Sequence, residues 1–166
     1  MLKIIAFLLF VLHFFITPEL ATAAYLRLDR TNRTNNLGNP IYSLKGYNNG
    51  QKRLQVDAVS GTARTQRRDR HRGNNFAPLP DGKYAVGRPE RRKTRAIGGT
   101  FIHIKPAFRT RRTELGIHWN PGFNQQGKRD GTAGCIGITR RIDRDRVNKF
   151  VRKYRVKRLV VKIARY

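Results

Sequence analysis

The chain has one cysteine, Cys135, and it lies in a glycine-rich run that suits a nucleophile. The run is GTAGCIG at 131–137, and His118 stands seventeen positions upstream in GIHWN at 116–120. A thiol of ordinary pKa is only a few per cent ionised at neutral pH, so a cysteine nucleophile needs a base such as His118. Glycines let the chain turn tightly around the sulfur, and the N–H groups of Gly134 and Cys135 could then hold an oxyanion.

Two other interpretations of Cys135 stand beside this one. A lone cysteine is often a small apolar residue in the core, and it can also form a disulfide between two molecules. Spacing in the sequence does not establish that His118 and Cys135 meet in space. The nucleophile therefore remains a hypothesis at this point.

The first 23 residues have the pattern of a signal peptide. A short basic start precedes an apolar run at 4–16, Pro18 interrupts it, and small residues follow at 21–23. The apolar run is too short for a comfortable membrane span, although an uncleaved anchor is the alternative. The sequence thus predicts one exported domain at 24–166, located in the periplasm or cell wall.

The exported part is predicted to be mainly β. Asn48, Asn49 and Gly50 form a hairpin signal, and 77–82 is a cluster of turn residues. One helix is predicted from Asp143, with Asp143 and Asp145 placed to cap and favour its amino-terminal end. Its apolar stripe consists of Val147, Phe150, Val151 and Tyr154. Alternating or β-branched segments predict strands at 25–28, 41–44, 54–59, 83–86, 100–105 and 159–163.

Charge is the other extreme feature of the composition. The formal net charge is +26, and arginine is concentrated at 64–72 and 88–95. Such a field attracts polyanions and disfavours self-association, which favours a monomer. Nucleic acid is the weaker expectation for an exported chain whose arginines have no interleaved aromatic residues. An anionic envelope polymer is one expected partner, and a merely solvated surface is the alternative.

Several segments resemble the L,D-transpeptidases with a YkuD-type catalytic domain. That family has a histidine followed, across a loop, by Ser/Thr-His-Gly-Cys, and here His118 precedes TAGC at 132–135. The segments at 54–61, 77–84 and 115–118 are similar to further family elements in the same order. The resemblance covers most of 24–166 and implies a single-domain YkuD-like β-sandwich with one or two short helices.

The chain departs from the family pattern at two positions. Ala133 replaces the histidine between Thr132 and Gly134, and Gly137 replaces an arginine often found two positions after the cysteine. The TAGCIG run resembles a divergent branch that includes peptidoglycan-cleaving toxins, whereas the signal peptide favours a resident envelope enzyme. Because Gly137 stands in the position of that arginine, another group would have to recognise the substrate carboxylate.

The resemblance implies acyl transfer on peptidoglycan tetrapeptide stems. Cys135 would attack the carbonyl of the third stem residue, and His118 would carry the proton to the departing D-alanine. The thioester would pass to another stem, to a free D-amino acid or to water. A non-enzymatic cationic envelope protein, binding anionic polymers while Cys135 stays inert, is the alternative function.

Other residues near the motif have two interpretations each. Asp130 could orient His118 or simply form a turn with Gly131, and Thr132 could bond the imidazole or shape the turn. Trp119 could line a substrate groove or be an ordinary half-buried aromatic residue. His103 is interpreted as a surface or structural residue, and it is the reserve base. The sequence predicts neither a metal site nor a cofactor, because His and Cys residues do not cluster at ligand spacing.

Overall fold

The computed structural model describes residues 23–164, apart from positions 93, 95, 96, 98 and 127–129. The predicted signal peptide at 1–23 lies outside these residues except for Ala23. Within the described part, one helix accompanies eight strands, and no helix there is long and apolar enough to cross a membrane. The elements, in chain order, are β1 (Tyr25–Thr34), β2 (Pro40–Asn48), β3 (Gln51–Val59), a 3₁₀ helix (Ala63–Thr65), β4 (Gly82–Arg91), β5 (Thr100–Pro106), β6 (Gly116–Trp119), β7 (Ile136–Ile138), α1 (Arg141–Lys153) and β8 (Arg158–Lys162).

The strands pair in a closed ring in the order β1, β2, β3, β7, β6, β5, β4, β8. Two of the pairings, β1 with β8 and β6 with β7, are parallel, and the others are antiparallel. The prediction of a mainly β, single-domain fold is confirmed. The two layers expected of a sandwich are joined at both edges by hydrogen-bonded strands, so the sheet has no free edge.

The inside of the ring is the hydrophobic core. Alternate residues of the strands point inward, as Leu26 and Leu28 do on β1 and Ile102 and Ile104 do on β5. The hairpin between β2 and β3 turns at Asn49 and Gly50, which both have positive φ, as its sequence predicted. This core fixes the register of the strands that carry the candidate site.

Helix α1 packs its apolar stripe into the hydrophobic core and contacts strands on both sides of the ring. Val147, Phe150 and Val151 are buried, and the Phe150 ring lies against Gly46, where a Cβ would approach to 2.7 Å. The predicted cap is wrong, because the N-cap residue is Arg140 and its side chain makes no capping bond. Asp143 instead lies in the first turn, where it accepts hydrogen bonds from Arg140 (2.6 Å) and Arg146 (2.8 Å).

Candidate active site

The parallel pairing of β6 with β7 brings the predicted base and nucleophile to one face of the sheet. Ile117 pairs with Ile136, and both point into the core. His118 pairs with Gly137, so this second pair faces outward. Cys135 directly precedes β7, and the same alternation predicts that its side chain is on the outward-facing side. His118 therefore lies on the strand next to the one that Cys135 precedes.

The imidazole of His118 is held as a neutral base. Its side chain is only 8% exposed, and Nδ1 lies 2.7 Å from the Trp119 carbonyl oxygen. A carbonyl can only accept, so Nδ1 carries the hydrogen and Nε2 keeps its lone pair. Burial lowers the pKa of His118, although the bond to the Trp119 carbonyl opposes this shift. The imidazole is therefore uncharged at neutral pH and can accept a proton at Nε2.

Phe101 forms a wall of the site that the sequence analysis did not identify. It pairs with His118 across β5 and β6, and its ring stacks on the imidazole at 6.0 Å with an interplanar angle of 17°. The same ring covers Gly116, where a Cβ would lie 2.1 Å from a ring carbon. The signal was present, because Phe101 alternates with Ile102 and so shares the outward face of His103. The ring fixes the imidazole orientation and excludes water from one side of it.

The Cys135 thiol is half-buried and protonated at rest. Its Sγ donates to the Glu114 carbonyl oxygen at 3.6 Å, and no bond from Sγ to the imidazole occurs among the described residues. Burial raises the pKa of the thiol to about 11, while a bond from the Gly116 N–H and the charge of Arg112 act in the opposite direction. Thiolate formation thus requires general-base help when substrate binds, a stage at which such contacts commonly tighten.

We expect alkylation of Cys135 to accelerate up to strongly alkaline pH. A thiol with a pKa of about 11 is ionised only slightly at pH 8, so the rate with iodoacetamide should keep rising through pH 10 in the folded protein. In denaturant the rate should level off near the ordinary value of 9.0. Stopped-flow alkylation followed by mass spectrometry measures both profiles, and identical profiles would contradict the burial of this thiol.

Thr132 organises the turn that presents the thiol. Its buried hydroxyl donates to the Cys135 carbonyl at 2.7 Å and accepts the N–H groups of Gly134 (3.1 Å) and Gly61 (3.2 Å). The only hydroxyl hydrogen is therefore used within the turn and not on the imidazole. The oxyanion prediction needs correction at Gly134, because its N–H is already bonded to Thr132. The Cys135 N–H makes no hydrogen bond to any described residue and remains open to an oxyanion.

A buried guanidinium, Arg112, holds this turn from behind. The residue is 6% exposed, and its Nη2 donates to the carbonyl oxygens of Ala133 (2.7 Å) and Ala77 (3.2 Å). Its Nη1 donates to the Arg72 carbonyl (3.2 Å) and to Asn75 Oδ1 (3.1 Å). All four Nη hydrogens are thereby used on protein oxygens. Arg112 therefore acts as a clamp and not as a ligand for substrate.

Two glycines allow these close contacts. Gly134 has φ of +108°, and a Cβ there would lie 1.4 Å from Arg112 Nη2. At Gly137 a Cβ would approach the Thr132 methyl group to 2.7 Å. Gly137 stands where the family pattern often has an arginine, and its close packing against Thr132 requires a glycine there. No sequence signal distinguishes Arg112 from the many other basic residues of the chain.

The remaining predicted residues lie around the turn in other roles. Asp130 accepts from Asn35 Nδ2 (2.5 Å) and from the Asn124 N–H (3.1 Å), so the prediction that it orients His118 is wrong. Ala133 is exposed, and only its carbonyl takes part in the clamp. Trp119 is half-buried beside the imidazole.

The reserve base, His103, is engaged outside the thiol site. Its Nε2 lies 2.7 Å from Arg92 Nη2 and 3.7 Å from Glu90 Oε2. The Phe101 ring packs edge-on against the His103 imidazole at 4.7 Å. His118 is therefore the better placed base. Within the described part of the chain, no three His, Cys, Asp or Glu side chains are grouped to hold a metal ion.

Comparisons with known proteins give one structural similarity. No protein-family model and no curated protein matches this chain. The fold is similar to that in the crystal structure of the helical cell shape determining protein Pgp2 from Campylobacter jejuni, with a TM-score of 0.57 and 16% sequence identity. The match covers 88% of this chain and 50% of that chain, so this chain spans about half of its length. At this identity the likeness shows the fold alone.

Proposed function

We propose that the protein is an exported cysteine acyltransferase of the L,D-transpeptidase type, acting on peptidoglycan stem peptides. The observation that carries the proposal is the register of β6 with β7, which sets a neutral imidazole with a free Nε2 beside the strand that continues from Cys135. The motif resemblance supplies the substrate class. A role in cell shape, named for the structural neighbour, is of the kind that a wall-modifying enzyme would have.

The first chemical step is acylation of the thiol. His118 Nε2 takes the proton from Cys135 Sγ as the sulfur attacks the carbonyl carbon of the third stem residue. The carbonyl oxygen becomes an oxyanion, to which the open Cys135 N–H can donate. Collapse of this intermediate breaks the peptide bond to D-alanine, and the proton on His118 passes to the departing amine. The products are a thioester on Cys135 and free D-alanine.

The second step returns the enzyme to its starting state. An acceptor amine or water loses a proton to His118 and attacks the thioester carbonyl, and the thiolate then leaves and is reprotonated. A stem side-chain amine gives a crosslink, a free D-amino acid gives exchange, and water gives carboxypeptidase action. Phe101 shields one side of the imidazole, which supports transfer to a bound acceptor by limiting the access of water.

The direct test is incubation of the protein with soluble disaccharide-tetrapeptides, followed by mass spectrometry. Loss of D-alanine, incorporation of an added D-amino acid, or dimer formation would support the proposal and identify the acceptor. Unchanged muropeptides across pH 5–9 and all three acceptors, with the folded state verified by circular dichroism, would overturn it.

We expect His118→Gln to lower kcat by about 10²–10⁴, because glutamine keeps the size and hydrogen bonding of the side chain but cannot take up the proton. In the wild type the acid limb of the kcat profile should lie below the ordinary imidazole pKa of 6.5, since burial lowers the pKa of His118. His103→Gln is the matched control and should retain wild-type turnover. Equal losses in both variants would remove His118 from its assigned role.

Binding of anionic polymers is the second candidate function. This candidate is supported by a groove in the described surface, which is lined by arginine side chains. The two functions do not exclude each other, since the described residues that line the groove do not include Cys135 or His118.

A further inference from the structure

A groove of about 690 Å³ lies between the 3₁₀ helix, the start of β2 and the chain after β8. None of its described lining residues is acidic, although several positively charged side chains lie close together there. Five arginines line it, namely Arg30, Arg64, Arg67, Arg68 and Arg70. The arginine run at 64–72, which the acyl-transfer chemistry does not use, therefore forms one side of a concave site.

The loop that carries these arginines is firmly held. Gln66 accepts the Tyr42 hydroxyl hydrogen at 2.7 Å and donates from Nε2 to the carbonyl oxygens of Ser60 and Thr62, each at 3.0 Å. Thr65 Oγ1 donates to the Phe76 carbonyl at 2.6 Å. The floor of the groove is thus built from specific bonds. A solvated arginine loop would not need such bonds, so the arginines are presented in a fixed arrangement.

The five guanidinium groups differ in their ion-pair and hydrogen-bond partners. Arg70 pairs with Asp81 at 2.6 Å, and Arg30 and Arg68 each donate to a backbone carbonyl at 3.0 Å. Arg64 and Arg67 are exposed and make no bond to any described residue. These two are the groups available to a ligand. A concave wall with low dielectric concentrates the field of such cations and draws anions to it.

The chemistry of the described lining suits phosphate groups and offers nothing to nucleic acid bases. Guanidinium groups present a planar fork that matches phosphate oxygens, and they are weakly hydrated. Tyr42 is the aromatic residue among the described lining, and it is fully buried, so it offers no ring face on which a base could stack. Pro40, Pro78 and Ile163 also line the groove but are buried, so the exposed arginine side chains are the main groups presented to a ligand.

We propose that this groove binds a phosphodiester polymer without bases, with Arg64 and Arg67 each contacting a phosphate group. The groove adjoins the nucleophile turn through Gly61. The Gly61 carbonyl accepts the Thr132 N–H at 2.9 Å, and a Cβ on Gly61 would lie 2.7 Å from the nitrogen of Pro78 in the groove wall. A polymer held there would keep the protein on its surface with the Cys135 turn nearby. The binding itself is independent of the thiol.

The experiment compares two variants with the same loss of charge. Arg64→Gln/Arg67→Gln removes the groove cations, and Arg53→Gln/Arg141→Gln removes two exposed arginines elsewhere that make no described bond. Fluorescence titration over a range of salt concentrations would use poly(glycerol phosphate), linear inorganic polyphosphate, polyglutamate and a single-stranded oligonucleotide. Cys135→Ala is included as a variant whose affinities should be unchanged.

The groove variant should lose at least about 10-fold in affinity for both phosphate polymers, and its salt slope should fall by about 1.4–1.8 for two lost phosphate contacts. The control variant should stay within about twofold of the wild type. Equal losses in the two double variants would overturn the site, since only net charge would then matter. Polyglutamate binding as tight as that of poly(glycerol phosphate), or tighter oligonucleotide binding that depends on the groove, would overturn the assigned ligand.

Discussion

Replacement of Cys135 by alanine is expected to abolish turnover of tetrapeptide stems while leaving the fold intact. The thiol is the proposed nucleophile, and removing such a group costs on the order of 10⁴-fold or more in kcat. Its packing contribution is small, because the residue is half-buried and the hydrogen bond that Sγ donates to the Glu114 carbonyl is long. The free energy of unfolding should change by about 1 kcal/mol or less.

The measurement is release of D-alanine from disaccharide-tetrapeptides, together with urea unfolding of the same preparations. Cys135→Ser is the matched variant, since it keeps a hydroxyl in the same place but ionises far less readily. Trapping a thioester-linked stem on the wild type by acid quenching, and its absence on both variants, would locate the covalent step at the sulfur. Wild-type turnover by Cys135→Ala would place the chemistry elsewhere and remove the proposed function.

The positions of strands along the chain and the face of each side chain could be predicted where the signal is local. Asn49 and Gly50 specify a turn by their tolerance of positive φ, and the alternation from Phe101 to Ile104 specifies which side chains enter the core. The spacing of Val147, Phe150 and Val151 specifies the buried stripe of α1. Each of these depends on neighbouring residues alone, so periodicity is sufficient.

Contacts between distant segments could not be predicted in the same way. Asp130 beside Gly131 has the local pattern of a turn, but its carboxylate is taken by Asn35, which is 95 positions away. Closure of the sheet depends on the parallel pairing of β1 with β8, from the two ends of the described chain. His118 and Cys135 are seventeen positions apart in the sequence, and only the β6–β7 register explains how His118 comes to lie on the strand next to the one that Cys135 precedes.

Arg112→Met is expected to lower kcat by about 100-fold with little change in KM. Methionine fills much of the space but donates no hydrogen bond, so the part-buried Ala133 carbonyl and the buried Ala77 carbonyl lose this partner. A displacement of the thiol by about 1 Å is sufficient for a loss of this size. Each orphaned carbonyl should also cost about 1–3 kcal/mol in the free energy of unfolding. Steady-state kinetics and urea unfolding measure the two effects.

The Arg112→Lys variant separates the effect of the hydrogen bonds that Arg112 donates from the effect of its positive charge. Lysine keeps a positive charge near the sulfur, but its single ammonium cannot reach four oxygens on two segments as the guanidinium does. If Arg112 positions the turn, the lysine variant should retain most of the wild-type pH profile of alkylation while its kcat stays low. Arg111→Met, at the exposed neighbouring position, should behave as wild type. A lysine variant with restored kcat would mean that Arg112 acts through its charge alone, because the fork geometry would then be dispensable.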